Sequence, residues 1–252
     1  MQKIIIQGIK GKMGSVLFKL LEDSEEHEVV AGVSRNYNKN KEVTIPVYHS
    51  LNEVKEHADV CIDFSNHSAV NSLLKGAVEK QMPLVICTTG FSDEELGCIK
   101  KASAIIPVFQ SYNTSIGVAV TNALVAKAAK ILKNFDAEII EAHHNQKQDS
   151  PSGTALMLAN TIRENSPERD ILKYGRHGHD KRNKDEIGIH SIRAGSIVGE
   201  HSILFAGEGE VLEIKHTAQS RDIFARGAIA AADFIVNKAS GFYGMKDLMG
   251  GA

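Results

Sequence analysis

The start of the chain combines three features that together allow few folds. Residues 3–7 (KIIIQ) form an apolar, β-branched run, and Gly8, Gly11 and Gly14 follow it at regular spacing. Residues 15–21 (SVLFKLL) then place apolar side chains at helical intervals. The pattern predicts a strand, a tight turn and a helix, which is the context of a dinucleotide-binding turn. Glycines let the backbone approach a pyrophosphate, and the helix N-terminus attracts its charge. A purely structural turn is the alternative.

The segments that follow alternate between strand-like and helical patterns. Short apolar runs at 28–33, 59–64, 84–87 and 105–109 predict four more strands. Helical patterns at 69–80 and 92–104 separate several of them. Alternation of this kind is typical of a parallel sheet covered on both faces, so we expect an α/β, Rossmann-type N-terminal domain.

The second half of the chain has a different pattern. Helices are predicted at 116–132, 154–164 and 221–236, and strands at 136–141, 187–192, 201–206 and 210–216. These elements favour a second, α+β domain on an antiparallel or mixed sheet, with the last helix returning to the first domain. We therefore expect a dinucleotide-binding domain of residues 1–114 plus 221–252, and a substrate-binding domain of residues 115–220. The polar run 177–186 is interpreted as a mobile loop, with solvated His177 and His179.

Composition excludes several classes of function. The 252 residues carry a net charge of −2, which argues against nucleic acid or anionic membranes as partners. No apolar run approaches the ~18 residues of a membrane span, and we expect no signal peptide before the opening strand. The three cysteines lack metal-ligand spacing, so we expect reduced thiols in a cytoplasmic protein.

The end of the second predicted strand bears on the choice of nicotinamide cofactor. A carboxylate there would bind the ribose 2′-hydroxyl of NAD, but Ser34 and Arg35 occupy the position, with Lys39 and Lys41 nearby. We expect NADPH to be favoured, or both NADPH and NADH to be used. The alternative is that Arg35 is a solvated loop residue.

The stretch EAHHNQKQDSPSGTA (141–155) brings histidines, a lysine and a helix start into fifteen residues. Hydride transfer to a double bond creates negative charge that a general acid must protonate, and His143, His144 and Lys147 are candidates. Residues 152–154 offer backbone N–H groups for a carboxylate. The alternatives are a pair of surface histidines or a metal site, but the i, i+4 spacing of a zinc helix is missing.

The same stretch resembles the signature of the 4-hydroxy-tetrahydrodipicolinate reductases, also called dihydrodipicolinate reductases. Further segments resemble that family's motifs in the same order, and the resemblance spans nearly the whole chain. They are DFS at 63–65, CTTGF at 87–91, SYNTSIGV at 111–118, IRAG at 192–195 and VGEH at 198–201. Cys87 stands where the family usually has glycine, and Ser34 where many members have an acid.

The resemblance implies residue roles. His143 would be the acid/base and Lys147 a proton donor, while His144, Ser152, Gly153 and Thr154 would bind substrate carboxylates. The implied cofactor contacts are Gly8, Ile9, Lys10, Gly11, Lys12, Met13, Ser34, Arg35, Cys87, Thr88, Thr89, Ser111, Tyr112, Asn113 and Thr114. No metal is implied.

The implied activity is NAD(P)H-dependent reduction of a small cyclic dicarboxylate in diaminopimelate and lysine biosynthesis. The implied assembly is a homotetramer formed through the second domain's sheet, with hinges near 113–115 and 220–221. Two other functions stay open on the residues alone. One is a different NAD(P)-dependent dehydrogenase, although an acyl-enzyme type would need a cysteine in the second domain. The other is a non-enzymatic NADP-binding redox sensor.

Overall fold

The computed structural model describes residues 1–35 and 44–250 and divides the chain into two compact units. Unit 1 contains Met1–Ser115 and Asp222–Ala252, and unit 2 is Ile116–Arg221. The strands are β1 (Gln2–Gln7), β2 (His27–Val33), β3 (Val47–Tyr48), β4 (Val60–Asp63), β5 (Leu84–Ile86), β6 (Pro107–Gln110), β7 (Asp136–His143), β8 (Ile171–Tyr174), β9 (Glu186–Arg193), β10 (Gly199–Ala206), β11 (Val211–Ala218) and β12 (Gly241–Tyr243). The helices are α1 (Lys12–Leu21), α2 (Val70–Glu79), α3 (Asp93–Ser103), α4 (Ile116–Ile131), α5 (Gly153–Asn165), α6 (Asp222–Ile235) and α7 (Met245–Leu248).

Unit 1 is built on a parallel sheet of seven strands in the order β12-β6-β5-β4-β1-β2-β3. Successive side chains of a strand point to opposite faces, so Ile4 and Ile6 pack with α1 and α6, whereas Ile5 packs with α2 and α3. Both faces are therefore buried, which is why the strands read as nearly continuous apolar runs. On α6 the buried positions are mostly alanine, which lets that helix lie close to the sheet.

Unit 2 is built on a mixed sheet in the order β11-β10-β7-β9-β8. The pairs β11-β10 and β10-β7 are antiparallel, and the pairs β7-β9 and β9-β8 are parallel. One face packs against α4 and α5 around Ile139, Leu158 and Phe205. This face presents His143 at the end of β7, beside the start of α5.

The predicted fold class, a Rossmann-type α/β domain with a second mixed-sheet domain, is confirmed by this architecture. The sequence patterns missed β3, β8 and β12. Each has only two to four residues, too few to show a period, and β8 lies in a stretch that reads as polar.

The polar run 177–186, interpreted as a mobile loop, packs in part against the rest of unit 2, since Glu186 begins β9 and Arg182 is paired. The Arg182 side chain is only 18% exposed and donates to the carboxylates of Asp136 and Glu138. It also donates to the carbonyl oxygens of Ala137 and Glu186. Paired charges can pack where unpaired charges cannot, and hydropathy alone does not reveal the pairing.

Candidate active site

The predicted cofactor residues of unit 1 follow strands that end at one edge of the parallel sheet. Gln7 pairs with Val33 on one side and Asp63 on the other, and the register continues through Ile86 to Gln110. The loops after these residues therefore lie along the carboxyl edge. In open α/β sheets, nucleotides bind outside this edge.

The turn after β1 requires its glycines. Gly8 has a φ of +83°, and a methyl group placed on it would lie 2.6 Å from the carbonyl oxygen of Phe64. A methyl on Gly14 would lie 2.2 Å from the carbonyl oxygen of Gly8. Gly11 caps α1 without a side-chain hydrogen bond, and the first turn holds no acidic residue. The positive end of the α1 dipole is therefore available for a phosphate.

The side chains around this turn divide into exposed and buried groups. Lys10 and Lys12 are exposed, and Met13 is half-buried. Ile9 is only 2% exposed, because its side chain packs against Gly32 in the core. As a predicted cofactor contact, Ile9 can therefore take part only through its backbone.

The loop after β5 shows a similar division. Cys87 is buried in the core, and burial raises the pKa of its thiol, so only its backbone can face a ligand. Thr88 is buried, whereas Thr89 is exposed. Beside them, buried Asp63 accepts hydrogen bonds from the backbone N–H and hydroxyl of Ser65, at 3.0 and 2.5 Å, while burial raises the pKa of the Asp63 carboxyl.

Hydrogen bonds within unit 1 organise the loop after β6. The Ser111 hydroxyl donates to the carbonyl oxygen of Asn113 at 2.7 Å. The Tyr112 side chain is 58% exposed. The Thr114 hydroxyl donates to the carbonyl oxygen of Phe224 on α6, at 2.6 Å, and Thr114 is buried. The predicted cofactor role of Thr114 is therefore limited to its backbone, since the hydroxyl is used to tie the loop to α6.

The end of β2 carries no carboxylate. The Ser34 N–H donates to the carbonyl oxygen of Tyr48 at 2.9 Å. The Arg35 guanidinium donates to the Ser68 hydroxyl at 2.8 Å, which holds this exposed cation in place beside the edge. Lys39 and Lys41 lie outside the described residues.

In unit 2, Glu141 and His143 lie two residues apart on β7 and share the face covered by helices. Nδ1 of His143 is 2.6 Å from Oε2 of the fully buried Glu141. Arg193, opposite His143 on β9, donates to both Glu141 oxygens at 2.8 Å, and the Ser152 N–H donates at 3.1 Å. Burial alone would raise the pKa of Glu141, but hydrogen bonds from Arg193, Ser191, His143 and Ser152 lower it to about 2.

His143 lies at the centre of this group. Burial lowers the pKa of the His143 imidazole, the charges of Lys147 and Arg193 lower it further, and Glu141 opposes the shift. Its ring meets the ring of His201 edge to face, with centroids 5.2 Å apart.

The loop after β7 brings Lys147 to the same end of the sheet. Lys147 pairs with Asp149 at 2.8 Å and thereby lowers the pKa of that carboxyl. The Lys147 N–H donates to the carbonyl oxygen of His144, and Arg193 donates to the carbonyl oxygen of Asp149. The amine is therefore held in place near the imidazole of His143, whereas His144 is half-buried in the turn.

The start of α5 completes the group. Ser152 is the N-cap: its hydroxyl oxygen accepts from the Ala155 N–H at 3.2 Å and is 3.0 Å from Nε2 of His201. Burial lowers the pKa of His201 to about 4, so this ring is neutral near neutral pH. Gly153 and Thr154 form the first helical turn, and a methyl on Gly153 would meet nothing within 4 Å. A helix start with open space and no acidic side chain can bind a carboxylate.

Unit 2 thus gathers a titratable imidazole, an amine and helix N–H groups around Glu141. Sequence reasoning gave no role to Glu141, Arg193 or His201. The i, i+2 spacing of Glu141 and His143 could have revealed the first, because strand alternation places them on one face. The other two depend on pairing between distant strands. Within residues 1–35 and 44–250 no group of three or more His, Cys, Asp or Glu side chains could hold a metal ion.

Two family models match this chain and show to which family it belongs. The family model described as dihydrodipicolinate reductase, N-terminus, matches residues 2–114, and the model of the C-terminus matches residues 117–249. This chain belongs to the dihydrodipicolinate reductase family. The family membership predicted from the sequence is therefore confirmed, and with it the class of NAD(P)H-dependent oxidoreductase.

Individual relatives match this chain over nearly its full length. The 4-hydroxy-tetrahydrodipicolinate reductase of Caldanaerobacter subterraneus subsp. tengcongensis is 50% identical over 250 residues, covering 99% of this chain and 98% of the relative. That of Clostridium tetani is 50% identical over 246 residues, covering 97% and 96%. A solved dipicolinate-bound dihydrodipicolinate reductase from Paenisporosarcina sp. TG-14 superposes with a TM-score of 0.82 at 26% identity, covering 98% and 99%.

Two further observations concern an acyl-enzyme mechanism and the membrane. Burial raises the pKa of the Cys61 thiol as well as that of Cys87, which does not suit a nucleophilic cysteine. In the parts of the chain that the structure describes, no helix has the length and apolar character needed to cross a membrane.

Proposed function

We propose that this protein reduces 4-hydroxy-tetrahydrodipicolinate, or its dehydrated form dihydrodipicolinate, to tetrahydrodipicolinate in diaminopimelate and lysine biosynthesis. Relatives named for this activity cover almost the whole chain. The observation that carries the proposal is the group in unit 2, where His143, Lys147 and the start of α5 surround the buried Glu141.

The residues of unit 1 fit a reduced nicotinamide dinucleotide. Gly8 and Gly14 allow the tight turn of the motif, because a methyl group on either would collide with backbone atoms, and α1 begins beside this turn without an acidic residue. In the proposal the backbone of residues 8–13 holds the pyrophosphate, and the loops 87–89 and 111–114 hold the nicotinamide end. When bound, the cofactor supplies a hydride to the substrate.

NADPH is the proposed preferred cofactor. Arg35 offers a guanidinium held by Ser68, and Ser34 offers a hydroxyl, which together suit a 2′-phosphate. A carboxylate that would repel the 2′-phosphate is missing at the end of β2. The protein also uses NADH in this proposal, at a lower rate.

In the proposed reaction the residues of unit 2 hold the dicarboxylate and move one proton. The N–H groups of Gly153 and Thr154 bind one carboxylate at the start of α5, with His144 and Ser152 beside them. Lys147 supplies positive charge close to His143. His143 or Lys147 donates the proton that completes the reduction of the double bond; when the 4-hydroxy compound is the substrate, its hydroxyl leaves as water to form that double bond.

We further propose that unit 2 forms the interface of a homotetramer in the cytoplasm. The sheet face opposite α4 and α5 exposes Ile140, Ile192 and Val211, at 37%, 47% and 60%. Apolar side chains in this number on one sheet face suit an interface between subunits. Three free cysteines are consistent with a reducing compartment.

Kinetics of variants test the proposed site. His143→Gln and Lys147→Ala should each lower kcat by roughly 10²–10⁴-fold, the usual contribution of a general acid. His177→Gln and Lys181→Ala are matched controls, because they remove the same residue types from exposed positions of unit 2. Full activity in both of the first two variants would refute the assignment of roles.

A further inference from the structure

We propose that Glu141 is a positioning residue that keeps the proton of His143 on Nδ1 and so leaves Nε2 to exchange a proton with the substrate. We also propose that Arg193 balances the charge of Glu141. The inference rests on the proposed role of His143.

The Glu141 carboxylate is saturated with hydrogen bonds. Oε1 accepts from Arg193 and from the Ser152 N–H, and Oε2 accepts from Arg193 and from Nδ1 of His143. An ionised carboxylate has about four acceptor sites, and these four bonds, with a further hydrogen bond from Ser191, fill them. All the partners donate, so the ionised form is the one that satisfies the site. Full burial of Glu141 leaves no alternative partner in water.

The contact with Glu141 fixes the tautomer of His143. A ring nitrogen 2.6 Å from an ionised carboxylate must carry a hydrogen, since two acceptors at that distance would repel each other. Nδ1 is therefore the protonated nitrogen of the neutral ring, and Nε2 takes up and releases the exchangeable proton. A methyl on Gly199 would lie 3.1 Å from Nε2, so the missing side chain leaves room beside this atom.

The charges around Glu141 set the acidity of His143. A lone carboxylate at 2.6 Å would stabilise the imidazolium and make His143 a weaker acid. Burial of the imidazole is the largest cause opposing that effect, and the charges of Lys147 and of Arg193, which is paired with Glu141, oppose it further. His201 on β10 faces the same ring, and Asp149 is paired with Lys147. The result is an oriented imidazole whose pKa is lowered.

A second carboxylate on β7, that of Glu138, serves as a comparison for Glu141. On the opposite face of β7, Glu138 accepts from Nε2 of His190 at 2.9 Å and from Nε of Arg182 at 3.1 Å. Glu138→Gln thus disturbs a carboxylate with histidine and arginine partners on the same strand, away from His143. It serves as the matched control for Glu141→Gln.

The direct test is nitrogen NMR of the full-length wild-type protein with ¹⁵N-labelled histidine, with His143→Gln used to assign the signals. Above the pKa of His143, we expect the Nδ1 signal of a protonated nitrogen and the Nε2 signal of an unprotonated one. A proton on Nε2 instead would overturn the proposal. This readout is independent of turnover, so it separates the proposal from the proposed function. If His143→Gln stayed fully active, the role of His143 would fail while the tautomer could still be as stated.

Kinetics supply the second test. Glu141→Gln should lower kcat by roughly 10²–10⁴-fold, since an amide can present either face to Nδ1 and no longer selects the tautomer. The pH profile of kcat/KM should also move. Its apparent pKa should fall in Glu141→Gln, where the Arg193 charge is unopposed, and rise in Arg193→Met, where the Glu141 charge is unopposed. In the double variant it should return towards the wild-type value.

A purely structural role would produce a different pattern. Glu141→Gln and Glu138→Gln would then lose similar activity, with unchanged pH profiles, and this result would overturn the proposal. If Glu141→Gln failed to fold, Arg193→Met and the wild-type NMR measurement would still decide the matter.

Discussion

Acidification should destabilise this protein through His201. Burial lowers the pKa of this imidazole from 6.5 to about 4, so the folded state resists a proton that the unfolded state accepts. The stabilisation is therefore fully present above pH 6.5 and is lost as the pH falls from 6.5 towards 4. From the two pKa values, the loss between about pH 7.5 and about pH 5 is ~2 kcal/mol of unfolding free energy, and ~3 kcal/mol at the acid limit.

The perturbation that isolates this effect is His201→Gln. A glutamine amide can reach Ser152 in place of Nε2 but does not titrate. Wild type and variant are unfolded in urea at about pH 7.5 and about pH 5, at equal protein concentration. The pH dependence of the unfolding free energy should be smaller in the variant by about 2 kcal/mol. His57→Gln is the control, because it removes one histidine whose side chain is 86% exposed.

Other groups affect both proteins in this comparison. Burial also lowers the pKa values of His143 and His216, so some loss at acid pH should persist in the variant. The pKa of Glu141, lowered to about 2, affects stability only below about pH 4.5, under the range tested. An equal pH dependence in wild type and His201→Gln would refute the idea that this buried imidazole is neutral in the folded protein.

Three further predictions concern the two sites. Gly14→Ala should place a methyl group against a backbone carbonyl. Fluorescence titration should show cofactor binding weakened at least about tenfold, and urea unfolding should show the unfolding free energy lowered by about 1–3 kcal/mol. Normal cofactor affinity would contradict the close approach at the turn. Arg35→Ala should lower the ratio of the kcat/KM values for NADPH and NADH by about 10- to 100-fold, which is the contribution of a charge-assisted hydrogen bond. An unchanged ratio would show that Arg35 is a solvated residue. Ser152→Ala should raise the KM for the dicarboxylate, and loss of the α5 cap should lower the unfolding free energy by about 1 kcal/mol. An unchanged midpoint of thermal unfolding would argue against the cap.

The sequence predicted the longer elements because each has a clear period. The β1 run and the α1 pattern leave little freedom, and the five predicted strands of unit 1 are present within one or two residues at most ends. The short strands were not predicted, since two to four residues cannot show alternation. Arg182 was included in a run interpreted as a mobile loop, because its partners on β7 lie more than forty residues away in the sequence.

The candidate site was predictable to the same extent. Local motifs identified His143, Lys147 and the start of α5, which lie within a dozen residues of one another. They could not identify Arg193, because its contact with Glu141 depends on the pairing of β7 with β9. Nor could they show that the side chains of Ile9 and Cys87 lie in the core, since a motif specifies a backbone position and not the direction of its side chain.

One measurement tests the proposed function most directly. The loss of reduced-nicotinamide absorbance is followed with NADPH and NADH separately, and the substrate is made in situ from pyruvate and aspartate semialdehyde by the synthase that precedes the reductase. We predict rapid oxidation that requires every component and is faster with NADPH. No oxidation with either cofactor, despite tight cofactor binding measured separately, would contradict the proposed reaction.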